Sequence, residues 1–408
     1  MHLKPSTKSK RSCNKLVQSE FDCVIVGAGF VGAALGLGLA SCGLKVAVLD
    51  HLPPPAQPEH DPRGLALAPS TVSLLSRLQV WPALQAHATP IETVHVTHHN
   101  HFGSLRLRHR ELGVPALGYV CPAPLLQASL AGALQAAGIT VNWSSRLLAT
   151  HATAAANELH IETSGTRAHW TTALLVGADG IASGVRRLLG IKVDQRDYGQ
   201  TSIVANIDVD APRPHTAYER FTTGGPLALL PLGGRRYVAV RTARTEDVAA
   251  LSALSEDAYL ADLNQRFGSC LGAFTQLGTR RTFALVQQRA RELHRPRAVL
   301  IGNAANTLHP NAAQGLNLGF RDVTALLKVL TTARTNGADL GDALVLAEYA
   351  SARAPDHRAT SRLTDGLART FGIEHWAVGV LRSTALIALD RVVPLKRALL
   401  RQVIGNRK

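Results

Sequence analysis

The chain has 408 residues, with 44 lysines and arginines against 29 acidic residues, which gives a formal net charge of +15 at pH 7. Hydrophobic residues make up 46% of it and charged residues 18%, so a large core can form and general disorder is excluded. The length favours two or three lobes. No apolar run of about 18 residues lacks charges or helix breakers, so we expect no membrane-spanning helix.

The N-terminal segment and the cysteines exclude several classes of protein. Residues 1–20 contain five lysines and arginines but no apolar segment of the secretory kind, so we predict a flexible basic tail. The five cysteines are scattered and form no C-x-x-C pair, which argues against a disulfide framework and against a zinc site. We therefore expect no metal and a reducing, cytoplasmic setting.

The basic excess has three interpretations. Nucleic-acid binding is disfavoured, because aromatic residues are only 5% of the chain and no basic stripe interleaved with aromatics occurs. An anionic membrane surface is the second interpretation. A generally basic proteome, in which the charge has no specific partner, is the third. The last two stay open.

Residues 21–50 read as a β-α-β unit built around a glycine motif. A buried strand over 23–26 runs into GAGFVG at 27–32, a helix of small residues follows, and a second strand ends at Asp50. In this motif Gly27 permits a tight turn, Gly29 lets the backbone approach a pyrophosphate, and Gly32 lets helix and strand pack closely. Asp50 can accept hydrogen bonds from ribose hydroxyls, so NAD or the adenosine half of FAD fits better than NADP.

The later elements alternate between buried and half-buried types. They are helices over 70–84 and 125–137, a buried strand over 173–176 leading into GADG at 177–180, three strand-like runs between 216 and 244, a buried strand over 298–301, a helix from about 315 to 330, and a basic helical remainder. The runs between 216 and 244 are separated by glycine pairs, which is typical of an antiparallel meander.

A second glycine-rich constellation favours FAD over NAD. Residues 302–305 read GNAA after a buried strand, and HPNAAQGLNLG at 309–319 leads into a helix. An isoalloxazine gains negative charge on reduction, and a helix N-terminus with free backbone N–H groups near Gly315 and Asn317 suits that charge. A glycine-punctuated helix cap is the alternative.

These patterns predict an α/β fold with a Rossmann-like FAD-binding domain, an inserted antiparallel β-sheet substrate domain and C-terminal helices. The predicted boundaries are 21–75, 115–190 and 285–345 for the FAD-binding domain, 76–114 and 191–284 for the substrate domain, and 346–408 for the helical region.

The ordered motifs resemble those of the class A flavoprotein aromatic hydroxylases, and among them the ubiquinone-biosynthesis hydroxylases. They are GxGxxG at 27–32, Arg63 within DPRGLAL at 61–67, GADG at 177–180, and Gly302-Asn303 followed by His309-Pro310. The segment YERFTTGGPLALLP at 218–231, the Gly-Asn pair, and TDGL at 364–367 with Phe371 are most similar to the 2-octaprenyl-6-methoxyphenol hydroxylase subgroup (UbiH type). The resemblance covers about residues 21–405.

The resemblance implies an FAD-dependent monooxygenase in ubiquinone synthesis. It would use NAD(P)H and O2 to hydroxylate a lipophilic prenylated methoxyphenol through a flavin C4a-hydroperoxide. The implied cofactor-binding residues are Gly27, Gly29 and Gly32 at the pyrophosphate, Asp50 at the ribose, Arg63 reaching the cofactor, Asp179 and Gly180 in the motif tied to FAD and the pyridine nucleotide, Asn303 where a ribityl-binding aspartate is expected, and Pro310, Gly315 and Asn317 along the isoalloxazine. The pyridine nucleotide is expected to visit, since no second GxGxxG occurs.

Phenol activation calls for a base or a positive neighbour. His309 is the nearest candidate by sequence, with a hydrogen-bonded loop histidine as the alternative. Glu219 and Arg220 are weaker candidates, and because strand alternation sends them to opposite faces, at most one of them lines the pocket. The apolar run over 226–231 either walls a greasy substrate site or is ordinary core.

Two further features lie outside these motifs. Four histidines between 95 and 101 have no cysteine or carboxylate beside them, which favours a solvated face over a metal site. Residues 376–408 hold seven basic side chains, one acid and interleaved apolar residues. We expect this tail either to pack on the core or to bind the cytoplasmic face of the inner membrane, near other ubiquinone-biosynthesis proteins.

Two alternatives to this function remain. One is a sister hydroxylase that acts at another ring position or on a soluble aromatic compound. The other is a non-catalytic flavoprotein subunit of a membrane-associated complex, which is favoured by Asn303, Asn311 and Ala313 because they depart from the family pattern.

Overall fold

The computed structural model describes residues 18–54, 61–99, 101–222, 224–308, 314–372 and 376–403. The strands are β1 (Gln18–Val26), β2 (Val46–Leu49), β3 (Gly64–Leu67), β4 (Thr89–Ile91), β5 (Thr93–His98), β6 (Ser104–Arg108), β7 (Gly118–Pro122), β8 (Val141–Asn142), β9 (Ser145–Ala152), β10 (Asn157–Thr163), β11 (Thr166–Gly177), β12 (Val193–Val209), β13 (Thr216–Thr222), β14 (Gly225–Pro231), β15 (Arg236–Arg244), β16 (Phe274–Leu277), β17 (Arg281–Ala290), β18 (His294–Arg295), β19 (Ala298–Leu300) and β20 (Asn306–Thr307). The helices are α1 (Phe30–Ser41), α2 (Pro69–Arg77), α3 (Trp81–Gln85), α4 (Ala123–Ala136), α5 (Gly184–Leu188), α6 (Val248–Ala253), α7 (Glu256–Phe267), α8 (Gln314–Thr335), α9 (Ala343–Gly372), α10 (Trp376–Arg391) and α11 (Val393–Val403).

A parallel sheet forms the centre of the first lobe. Its strand order is β18-β19-β11-β1-β2-β8, with β10 and β9 added beyond β11, and β1 pairs in parallel with both β11 and β2. The middle of β1 is fully buried, since Val24 and Ile25 are sandwiched between helices, which explains the uninterrupted apolar run. The predicted Rossmann-like lobe is confirmed.

A second, mostly antiparallel sheet forms the inserted lobe. Its order is β20-β17-β12-β15-β14-β13-β5-β6, with β16 beside β12, and the predicted meander is the run β13-β14-β15. Strands β3, β7 and β4 form a separate, three-stranded sheet in the order β3-β7-β4. The α/β fold with an inserted antiparallel sheet is therefore confirmed.

The two faces of the large antiparallel sheet have different neighbours. On the outer face, which carries Tyr218 of β13, the side chains pack against Leu263 and Phe267 of α7. On the opposite face, called the inner face here, the backbone of β3 comes close. A Cβ placed on Gly64 would lie 2.7 Å from a methyl group of Val238 in β15. The inner face therefore looks toward the segment that begins at Arg63.

The structure moves several predicted boundaries. Strand β1 starts at Gln18, so the last three residues of the predicted tail over 1–20 pair with β11, while residues 1–17 lie outside the described part. The predicted helix over 70–84 is two helices, because Gln79 takes a left-handed conformation with φ of 59°. Leu84 packs in the first lobe's core, so the segment 76–88 belongs with that lobe.

Two other boundaries also shift. Strand β17 pairs along its length with β12, which places residues 281–290 in the inserted lobe although 285–290 was predicted for the FAD-binding domain. Helix α9 begins at Ala343, and its residues Leu346 and Tyr349 are buried in the first lobe's core. In both cases a single strand or helix runs through the predicted boundary. That boundary lies where the composition changes, and composition alone does not show that the element continues.

The C-terminal helices α10 and α11 pack on strand β6. Leu386 and Leu400 are buried in a cluster with Leu105 and Leu107. The Lys396 ammonium donates hydrogen bonds to Glu111 and Asp390 at 2.8 and 2.9 Å. None of the helices in the described ranges is long and apolar enough to cross a bilayer.

Candidate functional site

The first and second predicted cofactor turns touch each other at the carboxyl ends of β1 and β11. Gly27 has a φ of 110°, and a Cβ placed there would lie 2.4 Å from the carbonyl oxygen of Ala178. A Cβ on Gly32 would lie 1.9 Å from the Gly27 oxygen. No larger residue fits either position, so the glycines set how closely the two turns approach.

The third turn joins the same place. Gly302 follows β19 with a φ of 58°, and a Cβ there would lie 3.2 Å from the Val31 side chain. Arg186, which is 5% exposed, donates to the Ala304 carbonyl at 2.9 Å and to the Ile181 carbonyl at 2.7 Å. The turns near residues 30, 180 and 302 therefore converge, as a single bound dinucleotide requires.

Gly29 has the opposite environment from Gly27. It precedes the first residue of α1, and a Cβ placed on it would meet no atom of the described residues within 4 Å. The first turn of α1 carries no acidic residue. Open space in front of a helix N-terminus suits a pyrophosphate, because free N–H groups and the helix dipole both favour negative charge.

Asp50 stands beside this turn and holds it. One oxygen of its carboxylate accepts from the Ala28 N–H at 2.7 Å and the other accepts from the Leu52 N–H at 2.9 Å. The residue is 9% exposed. Each carboxylate oxygen has a further lone pair, so the predicted bond to ribose hydroxyls is compatible with this geometry.

Arg63 lies at the junction of the two lobes. Its guanidinium pairs with Asp61 at 2.6 Å and lies over the ring of Phe283 in β17, 5.3 Å from the ring centre. Burial alone would raise the pKa of Asp61, but hydrogen bonds and charge from Arg63, with the charge of Arg281, bring it below its usual value. Arg63 thus contacts the inner face of the large sheet through Phe283, and its reach to the cofactor stays a prediction.

Asp179 is used within its own loop. Its carboxylate accepts from the Ser183 hydroxyl and, at 3.0 Å, from the Val185 N–H. Gly180 next to it has a φ of 79°. These contacts shape the loop that carries Arg186, and direct cofactor contact by Asp179 and Gly180 stays a prediction.

Asn303 and Asn317 are placed differently. Asn303 is exposed beside the converging turns, so its amide is free to donate to or accept from a bound group. Asn317 is buried: its side chain accepts from the Ala68 N–H and the Thr71 hydroxyl and donates to the Ala66 carbonyl, each at 2.8 Å. Its side chain therefore ties α8 to the β3–α2 segment and leaves only backbone for a cofactor.

Gly315 lies in the first turn of α8, where a Cβ would meet nothing within 4 Å among the residues that the structure describes. This open helix start resembles that at Gly29 and agrees with the predicted approach of a second anionic centre. His309 and Pro310 lie outside the described residues, as do Asn311 and Ala313. Their predicted roles stay predictions.

A buried ionic network under the third turn was missed from the sequence. Asp322 of α8 is fully buried; it accepts from the Gly302 N–H at 3.0 Å, and its other oxygen accepts from Arg353 and His357 of α9, each at 2.7 Å. Arg353 also pairs with Asp356 at 2.8 Å. The i, i+3 and i, i+4 spacing of these α9 residues is a usable but unspecific signal.

This network fixes the left-handed Gly302. Burial alone would raise the pKa of Asp322, but the charges and hydrogen bonds of His357 and Arg353 hold it below its usual range. Asp322 therefore stays ionised at neutral pH, and its contribution to stability is lost as pH falls through this lowered pKa. The carboxylate joins two helices to the turn that presents Asn303.

The histidines at 95–101 contact other aromatic rings. No cluster of three metal-ligating side chains exists among the residues described. His98 and His101 stack with ring centres 4.2 Å apart, and His95 lies edge-on to Tyr218. Burial, followed by the charges of Arg106 and Arg220, lowers the pKa of His95 to about 4. The solvated face expected for this cluster is thus partly buried.

Glycine substitutions separate packing from ligand contact in the first turn. We expect Gly27→Ala to destabilise the apoprotein by about 1 kcal/mol or more, because the positive φ and the Ala178 carbonyl both oppose a side chain. We expect Gly29→Ala to leave apoprotein melting within about 1 °C of wild type but to weaken FAD binding. Thermal unfolding without FAD and fluorescence titration with FAD measure the two effects, and equal FAD affinity in Gly29→Ala would contradict the assignment.

Removing the Asp322 charge tests the network. We expect Asp322→Asn to cost about 3–5 kcal/mol in unfolding free energy, because Arg353 and His357 then lack their buried counter-charge. FAD affinity should also fall as Gly302 loosens. The matched control is Asp210→Asn, which breaks the half-exposed pair with Arg235 and should cost about 1 kcal/mol or less. Denaturant unfolding measures the free energy of unfolding of both variants. Equal losses in the two variants would contradict a special role for the Asp322 network.

Comparisons with known proteins agree with this geometry. A family model described as FAD binding domain matches residues 20–364. The chain is 34% identical over 395 residues to ubiquinone hydroxylase UbiL of Rhodospirillum rubrum, covering 95% of this chain and 90% of the relative. It is 32% identical over 398 residues to the 3-demethoxyubiquinol 3-hydroxylase of Escherichia coli, covering 94% and 98%.

A solved structure shares the fold. The p-nitrophenol 4-monooxygenase PnpA of Pseudomonas putida DLL-E4 superposes with a TM-score of 0.79 at 18% identity, over 96% of this chain and all of that one. The converging glycine turns, the residues that fit FAD and the extent of these matches lead to one conclusion. The chain belongs to the FAD binding domain family, within the class A FAD hydroxylases of ubiquinone biosynthesis.

Proposed function

We propose that this FAD-dependent monooxygenase hydroxylates a polyprenyl methoxyphenol, with NAD(P)H and O2 as co-substrates. The observation that carries the proposal is the convergence of three cofactor turns in one lobe, next to a large sheet whose inner face is contacted by β3 and Arg63. The names of the similar ubiquinone hydroxylases support a lipophilic quinone precursor as substrate.

The cofactor has a defined place in the chain. Gly29 and the α1 N-terminus would hold the pyrophosphate, Asp50 the ribose, and Asn303 with the α8 start the distal half. Reduced FAD supplies the reaction with O2 that delivers one electrophilic oxygen atom to an electron-rich ring. The remaining tasks, which are binding the ring and keeping water out, fall to the protein.

The inner face provides the apolar wall for those tasks. Strand alternation splits the run over 226–231: Leu227 and Leu229 pack in the outer-face core, while Ala228 and Leu230 face inward. Ala228 pairs with Val240, which lies on the same face. The outward residues of the run are therefore ordinary core, as one interpretation predicted. The inward residues form an apolar surface that suits a lipophilic ring, as the other interpretation proposed.

Product analysis tests the proposed reaction. Cells that lack the protein should accumulate a polyprenyl methoxyphenol, because its hydroxylation is the missing step. The purified protein should carry the flavin absorption near about 450 nm and oxidise NAD(P)H faster when a prenylated methoxyphenol is added. Accumulation of a later quinone intermediate would assign another ring position, and FAD binding without stimulated NAD(P)H oxidation would point to the non-catalytic subunit.

The C-terminal helices support a peripheral membrane contact. Val392, Val393 and Leu395, at the α10–α11 junction, are 47%, 50% and 52% exposed, and Arg391 and Arg397 beside them are exposed too. Lys396, by contrast, is buried against the carboxylates of Glu111 and Asp390. The exposed basic surface of this region is therefore smaller than the number of its lysines and arginines suggests. Exposed aliphatic groups flanked by arginines suit an anionic bilayer surface.

Vesicle binding tests this contact. We expect the variant with Val392, Val393 and Leu395 all changed to Ser to partition onto phosphatidylglycerol vesicles about tenfold more weakly or worse, because each aliphatic side chain supplies roughly 1 kcal/mol of transfer free energy. Leu344→Ser is the control, since Leu344 is 81% exposed on another helix. Sedimentation with vesicles measures both, and an equal loss in the control would show that the junction has no special role.

A further inference from the structure

One carboxyl group on the inner face has aliphatic neighbours on both adjacent strands. Glu219 lies in the middle of β13 and pairs with Val96 of β5 on one side and with Ala228 of β14 on the other. Ala228 in turn pairs with Val240 of β15. Across the sheet, the neighbours of Glu219 in this row are therefore small or branched aliphatic residues.

Glu219 has no partner that explains its presence. It is partly buried, and it makes no hydrogen bond or ion pair with any residue in the part of the chain that the structure describes. Packing a carboxyl group among aliphatic side chains without a partner costs free energy. Residues that break the local packing rule in this way are expected mainly at functional sites.

The same row ends close to Arg63, one of the predicted cofactor-binding residues. Beyond Val240 it continues through Val204 to Arg281 of β17. Phe283, two residues further on the same face of β17, lies under the Arg63 guanidinium. Glu219 therefore shares its sheet face with the contact through which Arg63 joins the two lobes.

The other polar candidates of this lobe face away. Arg220 lies over the ring of Phe267, 5.8 Å from its centre, and so belongs to the outer face. His95 contacts Tyr218 on that same side. Of the two neighbouring candidates, Glu219 is the one that can line the pocket, as strand alternation requires.

The ionisation of Glu219 suits a base. Burial raises the pKa of its carboxyl group to about 7, so both forms are populated near neutral pH. Strand alternation also places Arg281 at the far end of the row on this face, and elsewhere on it His98, Asp208, Arg236 and Arg244. A base works best when its pKa is close to the working pH.

We propose that Glu219 binds the hydroxyl group of the phenol substrate and accepts its proton during ring hydroxylation. The inference rests on the proposed function and adds the residue that activates the ring. The phenol O–H bond breaks, its proton passes to the Glu219 carboxylate, and its electrons move into the ring. The ring carbon forms a bond to one oxygen atom of O2, and the other oxygen atom leaves as water. The ring carbon then loses its hydrogen as a proton, and Glu219 returns its proton to the phenol oxygen. NAD(P)H supplies two electrons and one hydrogen, which with the ring proton and one proton from solvent account for the new hydroxyl group and the water.

Glu219→Gln in the FAD-loaded full chain tests this role, with a prenylated 2-methoxyphenol as probe. The amide keeps the size of the side chain but cannot take the proton. We expect product formation to fall about 100-fold or more, as for removal of a general base, while the dissociation constant for FAD stays within about twofold of wild type. Glu246→Gln, at an exposed site in the same lobe, should change neither.

A more acidic probe separates catalysis from structure. A ring-fluorinated 2-methoxyphenol loses its proton more readily, so the Glu219→Gln deficit should shrink to about tenfold or less. A purely structural defect would be the same for both phenols, and that result would overturn the proposal. If wild type hydroxylates neither phenol, the proposed function fails first, and the inference falls with it.

Stability gives a readout that does not depend on activity. Because the pKa of Glu219 is raised in the folded state, its charged form destabilises the protein above neutral pH. We expect Glu219→Gln to raise the melting temperature of the apoprotein at pH 8 by about 2 °C or more. A lower melting temperature would show that Glu219 is retained for the fold, which would also overturn the proposal.

Discussion

The close approach of Gly27 to the Ala178 carbonyl is the contact on which the site depends. Parallel strands β1 and β11 end side by side, so their following turns meet, and only a glycine at position 27 leaves room for both. The same contact aims the α1 N-terminus outward past Gly29. A feature of backbone packing thereby creates the space that a pyrophosphate needs, before any side chain contributes.

Most polar side chains of the site hold backbone rather than ligand. Asp50 accepts from Ala28, Asp322 accepts from Gly302, and Asn317 fastens α8 to the β3–α2 segment. The hydrogen bonds of these side chains are made within the protein, so the turns keep their shape without a bound cofactor and without unpaired buried polar groups. The groups that these residues leave for an anionic cofactor are backbone N–H groups at the starts of α1 and α8, the exposed Asn303 and the remaining lone pairs of Asp50.

The sequence predicted the parts of this fold that depend on local pattern. The buried strand over 23–26, the glycine turn and the meander between 216 and 244 all carry their own signals, and the structure contains each of them. The domain boundaries carry no such local signal. Strand β17 and helix α9 continue through changes in composition, and their positions are set by contact with β12 and α8. The Asp322 network was hidden for a similar reason: an aspartate in α8 and an arginine and a histidine in α9 become one unit only when the helices cross.

The inserted sheet divides its polar residues unevenly between its two faces. On the outer face Arg241 pairs with Asp262 and Arg220 lies over the ring of Phe267, so both guanidinium groups have a partner within the lobe. On the inner face the row through Glu219 is aliphatic apart from that carboxyl and Arg281 at the end. The row reaches Leu105 of β6, the strand on which α10 packs. The helices that expose aliphatic side chains thus pack next to the proposed substrate wall, and under the proposed function a substrate taken from a bilayer would have a short apolar path to the site.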